Sequence, residues 1–409
     1  MGNYTKNTIA MVLAGGKGER LSPLTLTRPK PGVAFGGKYK IIDFVLSNMF
    51  NSGIKKVYIL TQYRAYSLMK HIRESWAKWT GLGEFYVAIS PETRNESEEW
   101  FKGTADAIFQ YLRFIESSDA EYVAIFGGDH IYRMDITQMI DQHVKNGADL
   151  TIAALEVPIE DAKRFGVFSV DADLKVTAFT EKPKKPVTIP GKETCFASMG
   201  NYIFSTKKLI EVLQEGSKKH ADLDFGNHVI PGMLKAGDKI FAYNFNDNII
   251  PGMNPEEKGY WMDVGTLDSY YAANMDLIRV SPQLNLYNYQ WPILTNQGNL
   301  PPAKTVFDDD GRRGQNLDSY VCAGCITSGG TVRRSIIGPR GMIHSYSLIE
   351  DSILFENVNV GRHAKIKRAI IDKNLVIPQN MVIGYDHKED VRNGHTVTES
   401  GIVVVSKIP

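Results

Sequence analysis

The C-terminal part of the chain carries an aliphatic repeat with a period of 17 residues. The repeated positions are the segments 335–337, 352–354 and 369–371, the series Ile343, Val360 and Ile377, and the series Ile349, Ile366 and Ile383. Within a unit the apolar positions lie six, six and five residues apart. That spacing is typical of three short strands per coil, each with one inward aliphatic side chain. An ordinary β-sandwich would not hold one interval over three units, so the repeat predicts a left-handed parallel β-helix.

Residues 1–280 show a different pattern, in which short apolar runs alternate with segments of helical period. The predicted buried strands are 8–13, 57–60, 122–126, 151–155 and 202–204. The predicted helices are 65–78, 104–116, 136–146, 206–214 and 267–280. This alternation is typical of a doubly wound, mostly parallel, Rossmann-like α/β sheet. Residues 281–302 lack periodicity and are predicted to link this domain to the β-helix domain at 303–409.

A glycine-rich basic loop follows the first predicted strand, in the sequence MVLAGGKGERLSPLTLTRPKP at 11–31. Its glycines and cations are Gly15, Gly16, Gly18, Lys17, Arg20, Arg28 and Lys30. The spacing fits neither G-x-x-x-x-G-K-[ST] nor G-x-G-x-x-G, and three prolines oppose a continuous helix after the loop. These residues suit a phosphate site, with backbone N–H groups and cationic side chains as donors. They also fit a tight turn with solvated cations.

Two aspartates lie in segments that we expect at the ligand-binding edge of such a sheet. Asp129 comes after the run 122–126 and two glycines, and Asp263 lies in an aromatic, glycine-bounded turn at 259–266. Either carboxylate suits a hard cation such as magnesium, and either suits an ordinary turn or helix cap. Asp135 is the better capping candidate for the helix after Asp129.

An acid and a base stand side by side at the end of the run 176–180. Glu181 and Lys182 offer one acceptor and one cation, which suits a sugar hydroxyl and a sugar phosphate. A surface ion pair worth less than about 1 kcal/mol is the alternative.

Composition excludes several classes of protein. The net charge of +1 argues against a nucleic-acid or membrane surface as the main partner. No apolar run approaches the roughly 18 residues of a membrane helix, and no signal peptide is evident, so we expect a cytoplasmic protein. Its cysteines, Cys195, Cys322 and Cys325, form no disulfide framework, and packed thiols fit Cys322 and Cys325 better than a zinc or redox site.

The glycine loop also carries a resemblance to a known family. Written as L-A-G-G-x-G-x-R-L with K-P nine residues later, it resembles the signature of the sugar-nucleotide pyrophosphorylases, which join a nucleoside triphosphate to a sugar 1-phosphate. The matching residues are Leu13, Ala14, Gly15, Gly16, Gly18, Arg20, Leu21, Lys30 and Pro31. Further stretches at 35–44, 46–48, 61–64, 100–107 and 128–132 are similar to the bacterial glucose-1-phosphate adenylyltransferases within that family, and the resemblance covers nearly the whole chain.

The resemblance implies adenylyl transfer from ATP to α-D-glucose 1-phosphate, giving ADP-glucose and pyrophosphate, the committed step of bacterial glycogen synthesis. It implies that Asp129 and Asp263 hold Mg²⁺ and that Arg20 and Lys30 contact the departing phosphates. The ATP-binding residues that it implies are Leu13, Ala14, Gly15, Gly16, Gly18, Gly103 and Asp106. The residues that it implies for glucose 1-phosphate are Gly166, Glu181, Lys182, Ser198, Tyr202 and Asp224.

Regulation and assembly are also expected from the resemblance. The family responds to phosphorylated metabolites and AMP, and the candidate effector cations are Arg28, Lys38, Lys40, Lys367 and Arg368, which equally fit solvated surface charge. Thr27 and Ala34 replace the lysine and histidine of members activated by fructose bisphosphate, so that preference does not carry over. Phe101 replaces a family tyrosine, which removes a hydroxyl contact. We expect a homotetramer, possibly with a paralogous subunit.

Three rival functions stay open. An acyltransferase would suit the β-helix, but His344 and His363 lie in no recognisable catalytic context. A pyrophosphorylase for another base or sugar is disfavoured by the matches at 35–38 and 128–132. An effector-binding regulatory subunit with little catalysis is disfavoured by the intact residues Arg20, Lys30, Asp129, Lys182 and Asp263.

Overall fold

The N-terminal domain is built on one nine-stranded sheet. The computed structural model describes residues 4–90, 101–189, 191–296 and 298–407, so Trp100 of the family-like stretch lies outside the described residues. The strands of this domain are β1 Thr8–Ala14, β2 Ala34–Phe35, β3 Tyr39–Lys40, β4 Lys56–Thr61, β5 Phe85–Ile89, β6 Tyr122–Gly127, β7 His130–Tyr132, β8 Leu150–Pro158, β9 Gly166–Val170, β10 Val176–Glu181, β11 Thr194–Ser205, β12 Ile240–Asn244 and β13 Trp261–Asp263. Its helices are α1 Ile41–Asn51, α2 Tyr66–Ser75, α3 Thr104–Phe109, α4 Leu112–Glu116, α5 Ile136–Lys145, α6 Ile159–Ala162, α7 Thr206–Lys219, α8 Ile230–Ala236 and α9 Leu267–Asp276.

The sheet order is β10-β9-β11-β6-β1-β4-β5, and β8 pairs with both β11 and β12. Strands β6, β1, β4 and β5 run parallel, whereas β11 runs antiparallel to β6, β8 and β9. Strand β1 is buried almost throughout, because it lies in the middle of the sheet. The predicted α/β fold class is confirmed. The carboxyl ends of β1, β4 and β6 meet at one edge of the sheet, where ligands of such folds bind.

Predicted and observed elements differ mainly in where helices end. The helix predicted at 104–116 is divided into α3 and α4, because the backbone of Tyr111 leaves helical geometry and its ring stacks on Phe114 at 5.8 Å. The helix predicted at 65–78 ends at Ser75 and is followed by a short 3₁₀ turn, and α7 extends to Lys219. Asp135 caps α5 as predicted, accepting a hydrogen bond from the Thr137 N–H.

The C-terminal domain is a left-handed parallel β-helix, as predicted. Its elements are β14 Lys304–Val306, β15 Asp308–Asp309, β16 Arg312–Arg313, β17 Gln315–Leu317, β18 Tyr320–Val321, β19 Ile326–Ser328, β20 Thr331–Arg333, β21 Ile336–Ile337, β22 Met342–Ile343, β23 Leu348–Glu350, β24 Ile353–Leu354, β25 Asn359–Val360, β26 Lys365–Lys367, β27 Ala369–Ile371, β28 Val376–Ile377, β29 Val382–Ile383, α10 His387–Arg392, β30 Thr396–Val397 and β31 Val403–Val405. Residues 17 positions apart pair in parallel, as in Ile336 with Ile353 and Ile353 with Ile370, and their side chains are buried.

The two domains share an apolar core. Leu24 and Tyr270 of the first domain belong to the same buried cluster as Ile353 and Phe355 of the β-helix. A buried ion pair crosses the same interface, with Arg28 Nη2 at 2.7 Å from Asp372 Oδ2. The β-helix therefore packs directly against the loop that carries Lys30.

The segment between the domains has no regular secondary structure in its described residues, yet it is held in place. Trp291 and Ile293 are buried, Asn51 donates to the Pro292 carbonyl, and the Leu294 N–H donates to Ser47 Oγ. No described helix has the length and apolarity needed to cross a membrane. The three cysteines are free thiols.

Candidate active site

The glycine loop leaves β1 and folds back on Lys30. After β1 ends at Ala14, residues 15–18 have no regular structure and Glu19–Leu21 form a single 3₁₀ turn, so no helix follows the loop, as predicted. Gly18 has a φ of +65°, and a Cβ there would lie 2.7 Å from Lys30 Cβ. The position therefore requires glycine for both its backbone angle and its contact with Lys30.

Lys30 joins the two candidate metal ligands. Its Nζ lies 3.0 Å from Asp129 Oδ2 and 2.6 Å from Asp263 Oδ1, and its side chain is only 6% exposed. Strand pairing explains the arrangement, since β13 lies antiparallel to β7 with Asp263 opposite His130, the neighbour of Asp129. Two aspartates from distant parts of the chain thus converge beside the glycine loop.

The cluster is charged at neutral pH. Burial opposes the charge of Lys30, but Asp129 and Asp263 outweigh it and raise the pKa of Lys30 above its ordinary value. Burial likewise opposes the charge of Asp129, but His130 and Lys30 lower the pKa of that carboxyl to about 2. One ammonium faces two carboxylates, so the cluster carries a net negative charge.

Arg20 and Lys30 occupy different places on the loop. Arg20 Nη2 lies 3.8 Å from Asp263 Oδ2, and the Arg20 side chain is 67% exposed. Lys30 is occupied by the two carboxylates, whereas the guanidinium of Arg20 is open to the cleft. Arg20 is therefore the more available cation for a phosphate.

The two carboxylates fit a magnesium ion that completes its shell with substrate. In the part of the chain that the structure describes, no group of three or more His, Cys, Asp or Glu side chains could hold a metal ion. Magnesium is commonly held by one or two carboxylates together with substrate phosphates and water, so a pair of aspartates is a sufficient protein contribution. Asp129 and Asp263 are partly exposed, at 36% and 29%, so this donor set is open to a ligand.

Trp261 connects this cluster to the sugar side, and sequence reasoning missed it. The Trp261 ring lies 4.6 Å from the His130 ring and 5.7 Å from the Phe165 ring, and the Phe165 carbonyl accepts a hydrogen bond from the Lys182 N–H. Trp261 Nε1 and His130 Nδ1 are buried and have no hydrogen-bond partner among the described residues. The sequence did point to Trp261, because it lies two residues before Asp263 in the aromatic turn at 259–266.

The sugar side gathers around the Glu181 carboxylate. Glu181 Oε2 would lie within 2.8 Å of a Cβ at either Gly166 or Gly226, so both glycines leave room for this carboxylate. Lys182 Nζ lies 3.4 Å from Glu181 Oε1 and is exposed. Gly226 was not predicted as a site residue, and its position two residues after Asp224 was the only signal for it in the sequence.

Asp224, Ser198 and Tyr202 lie near the same carboxylate. Burial raises the pKa of Tyr202, a hydrogen bond with Ser198 opposes that rise, and the charges of Glu181 and Asp224 add to it. Asp224 Oδ1 accepts from the Asn227 N–H at 3.0 Å and thereby caps a π-helical turn, Phe225–Val229. The structure therefore brings together all six residues expected around the sugar.

The expected ATP-binding residues lie along the edge of the sheet. Leu13 and Ala14 end β1, and a Cβ at Gly15 would lie 3.2 Å from Gln62 and 3.6 Å from Phe101. Gly103 directly precedes α3, and Asp106 Oδ2 accepts from the Lys102 N–H and from Gln110 Nε2. Gln62 follows β4 at the same edge and joins the candidates on position alone.

The five candidate effector cations do not lie together. Lys38 and Lys40 line a cavity of about 640 Å³ between the domains, whereas Arg28 is buried against Asp372 beside it. Lys367 and Arg368 are absent from the lining and lie over the rings of Tyr385 and Tyr271. Other charged residues of the lining are Lys70, Glu74, Arg340, Glu356 and Lys373.

Burial lowers the pKa of Lys40 to about 8, helped by the charges of Lys373 and Arg28. The carboxylates of Glu74 and Glu356 pair with Lys70 and Arg340. Within the described ranges, Lys38, Lys40 and Lys373 form no ion pair. The cavity therefore has excess positive charge.

Comparison with known proteins agrees with both domains. Residues 9–280 match the nucleotidyl transferase family, and residues 301–405 match the GlmU-like C-terminal hexapeptide family. The chain is 81% identical over 405 residues to the glucose-1-phosphate adenylyltransferase of Geobacter metallireducens, covering 99% of this chain and 98% of that protein. It is 76% identical to the enzyme of the same name from Trichlorobacter lovleyi, with the same coverage, and 47% identical to that of Deinococcus radiodurans, covering 98% of each chain. A relationship of this extent, over both domains, shows that the chain belongs to the glucose-1-phosphate adenylyltransferase family.

Proposed function

We propose that this chain transfers the adenylyl group of ATP to α-D-glucose 1-phosphate, giving ADP-glucose and pyrophosphate. The observation that carries the proposal is the convergence of Lys30, Asp129 and Asp263 beside the glycine loop. The names of the relatives identify the reaction that such a site performs in those proteins. Glu181, Lys182 and Asp224 supply the acceptors and the cation for a phosphorylated sugar.

The reaction is an in-line displacement at the α-phosphorus of ATP. A phosphate oxygen of glucose 1-phosphate forms the new P–O bond, and the bond from the α-phosphorus to the bridging oxygen breaks, so pyrophosphate leaves with that electron pair. The attacking phosphate is already anionic at pH 7, so no general base is needed. The protein must instead align the two substrates and neutralise crowded phosphates.

Each group of residues takes one part of this task. We assign Arg20 to the departing phosphates, because it is the exposed cation of the loop. Lys30 holds the carboxylates of Asp129 and Asp263 next to each other and offsets part of their negative charge. Lys182 takes the sugar phosphate. The ATP-binding assignment remains Leu13, Ala14, Gly15, Gly16, Gly18, Gly103 and Asp106.

Magnesium would be held by Asp129 and Asp263. A bound divalent ion supplies positive charge to the phosphates in the transition state. Lys30, Asp129 and Asp263 together have a net negative charge, which favours binding of a cation. Lys30 contacts both carboxylates and helps to lower the pKa of Asp129, so that carboxyl is ionised at neutral pH.

We also propose that an anionic metabolite, such as a sugar phosphate or AMP, binds the cavity between the domains. The unpaired lysines Lys38, Lys40 and Lys373 support this proposal. Arg28 and Asp372 connect the cavity wall to the loop that carries Lys30, which gives an effector a route to the active site. A homotetramer, a cytoplasmic location and a role in glycogen synthesis are proposed with it.

The experiment that tests the function measures pyrophosphate release by the purified chain with glucose 1-phosphate and, in turn, ATP, UTP, GTP and dTTP. We expect ATP with Mg²⁺ to give the highest kcat/KM. A preference for another nucleotide would overturn the assignment to ATP. Turnover only after a paralogous chain is added would support the regulatory-subunit alternative.

A further inference from the structure

One hydroxyl joins the start of α3, where Gly103 and Asp106 are expected to bind ATP, to the segment at 224–225, where Asp224 is expected to bind the sugar. Thr104 Oγ donates to Asp224 Oδ2 at 2.7 Å and accepts from the Phe225 N–H at 3.2 Å. Thr104 is the first residue of α3 and directly follows Gly103. Its donor and its acceptor functions are thus both used on residues more than a hundred positions away in sequence.

Two further hydrogen bonds hold the backbone next to this junction between α3 and the segment at 223–225. The Asp106 N–H donates to the Leu223 carbonyl at 2.8 Å, and the Asp224 N–H donates to His228 Nδ1 at 3.1 Å. The backbone of Asp224 is therefore held from one side by His228, and its carboxylate is held from the other side by Thr104. Of these two contacts of Asp224, the one with Thr104 connects it to α3.

The junction reaches the other residues expected around the sugar. The Phe225 ring lies 5.3 Å from the ring of Tyr202. Asp224 Oδ1 accepts from the N–H and the side-chain amide of Asn227, and Oδ2 accepts from Thr104, so Thr104 is the described contact that holds the second oxygen. A change at Thr104 alters where Asp224 presents its lone pairs and where Phe225 supports Tyr202.

We propose that Thr104 is a positioning residue that orients Asp224 for glucose 1-phosphate. This inference rests on the proposed function, because it takes Asp224 as a contact of the sugar. Thr104 acts through Asp224 and Phe225 rather than on the reacting atoms. Its loss should affect the sugar substrate, with little effect on the nucleotide.

The test compares Thr104→Val, which keeps the shape and removes both hydrogen bonds, with Thr104→Ser, which keeps the hydroxyl. We expect Thr104→Val to raise the KM for glucose 1-phosphate about fivefold, in line with the loss of an ordinary hydrogen bond. We expect the KM for ATP to stay within about twofold of the unmodified value. Thr104→Ser should restore the KM for glucose 1-phosphate, which a loss of fold stability alone would not do.

A matched control is Thr137→Val. Thr137 Oγ1 also donates to an aspartate at the start of a helix, Asp135 Oδ1 at 2.6 Å, but it has no contact with either substrate region. Both KM values should be unchanged in this variant. An equal rise in the two KM values with Thr104→Val, or no rise in either, would overturn the proposal.

Asp224→Asn distinguishes failure of this inference from failure of the proposed function. A raised KM for glucose 1-phosphate in Asp224→Asn with a normal value in Thr104→Val would overturn the role of Thr104 and leave the sugar site in place. A normal value in both variants would remove Asp224 from the sugar site and overturn the inference with it. If the unmodified chain does not use glucose 1-phosphate at all, the proposed function fails, and the role of Thr104 fails with it.

Discussion

The candidate active site and the interdomain cavity each contain a lysine with a shifted pKa, and the two shifts have opposite directions. In the cleft, two carboxylates face one ammonium and raise the pKa of Lys30. In the cavity, burial and two neighbouring cations lower the pKa of Lys40 to about 8. Lys30, Asp129 and Asp263 together carry a net negative charge, which a bound divalent cation would offset. The cavity has positive charge in excess and needs only an anion.

The comparison separates two uses of a lysine. Lys30 forms ion pairs with Asp129 and Asp263, the two carboxylates that we propose as magnesium ligands. Lys40 lines the cavity for which we propose an anionic effector. The following predictions act on one region at a time.

Removing a carboxylate from the cleft should have the largest effect. We expect Asp129→Asn to lower kcat on the order of 10²-fold or more, because an amide neither holds magnesium as a carboxylate does nor balances Lys30. Steady-state pyrophosphate release at saturating ATP and glucose 1-phosphate measures it. Asp135→Asn is the matched control, since the Asp135 carboxylate accepts hydrogen bonds from Thr137 and Gln138 in the first turn of α5. Near-normal turnover in Asp129→Asn would place the metal elsewhere.

Removing a cation from the cavity should leave basal catalysis intact and weaken the effector response. We expect Lys40→Gln to raise the half-maximal concentration of AMP or a sugar phosphate about thirtyfold, the size of a lost charge-assisted hydrogen bond. Lys367→Gln removes a cation outside the cavity and should change nothing. An unchanged response in Lys40→Gln, or a loss of response in Lys367→Gln, would contradict the assignment of the cavity.

Lys182 is an intermediate case, because it belongs to the cleft and is nevertheless exposed. Its amine lies 3.4 Å from the Glu181 carboxylate, in an exposed ion pair that solvent screens. We expect Lys182→Gln to raise the KM for glucose 1-phosphate about fivefold and to leave the KM for ATP nearly unchanged. Initial rates over a grid of both substrate concentrations separate the two values. An equal effect on both would remove the assignment of Lys182 to the sugar phosphate.

Regular patterns in the sequence predicted regular structure well. The interval of 17 residues reappears as strand register, with Val332, Ile349, Ile366 and Ile383 stacked in neighbouring coils. A repeat determines register because each coil can pair only with the next one. The glycine loop was likewise recognisable, since its prolines and its position after an apolar strand are local features.

Contacts between distant residues could not be predicted. Lys30 pairs with Asp129 and Asp263, which lie 99 and 233 positions away, and nothing local shows that one lysine holds both. The resemblance pointed to all three residues but placed Lys30 on the departing phosphates. Thr104 lies in the family-like stretch at 100–107, but its role was missed for the same reason, because its contact with Asp224 spans 120 positions. Arg28 resembled a surface cation, and its burial depends on Asp372 in the other domain.

The smallest expected effect is a pH dependence confined to the cavity. Lys40 has a folded pKa of about 8, below its ordinary value, so it is mostly charged at pH 7 and half charged at pH 8. An anion that needs this charge should bind about twofold more weakly at pH 8 than at pH 7, and up to about tenfold more weakly per further pH unit, because binding then requires proton uptake. In the unfolded chain the pKa of Lys40 returns to its ordinary value of 10.5, so between pH 8 and 10.5 the unfolded state binds more protons than the folded state. The free energy of unfolding should therefore increase with pH over this range. Titration of the half-maximal AMP concentration against pH checks the direction of this change in affinity. The change should be smaller in Lys40→Gln, where Lys373, whose pKa burial also lowers, remains in the cavity. An affinity that rises with pH in the unmodified chain would mean that the charge of the cavity is not what holds the anion.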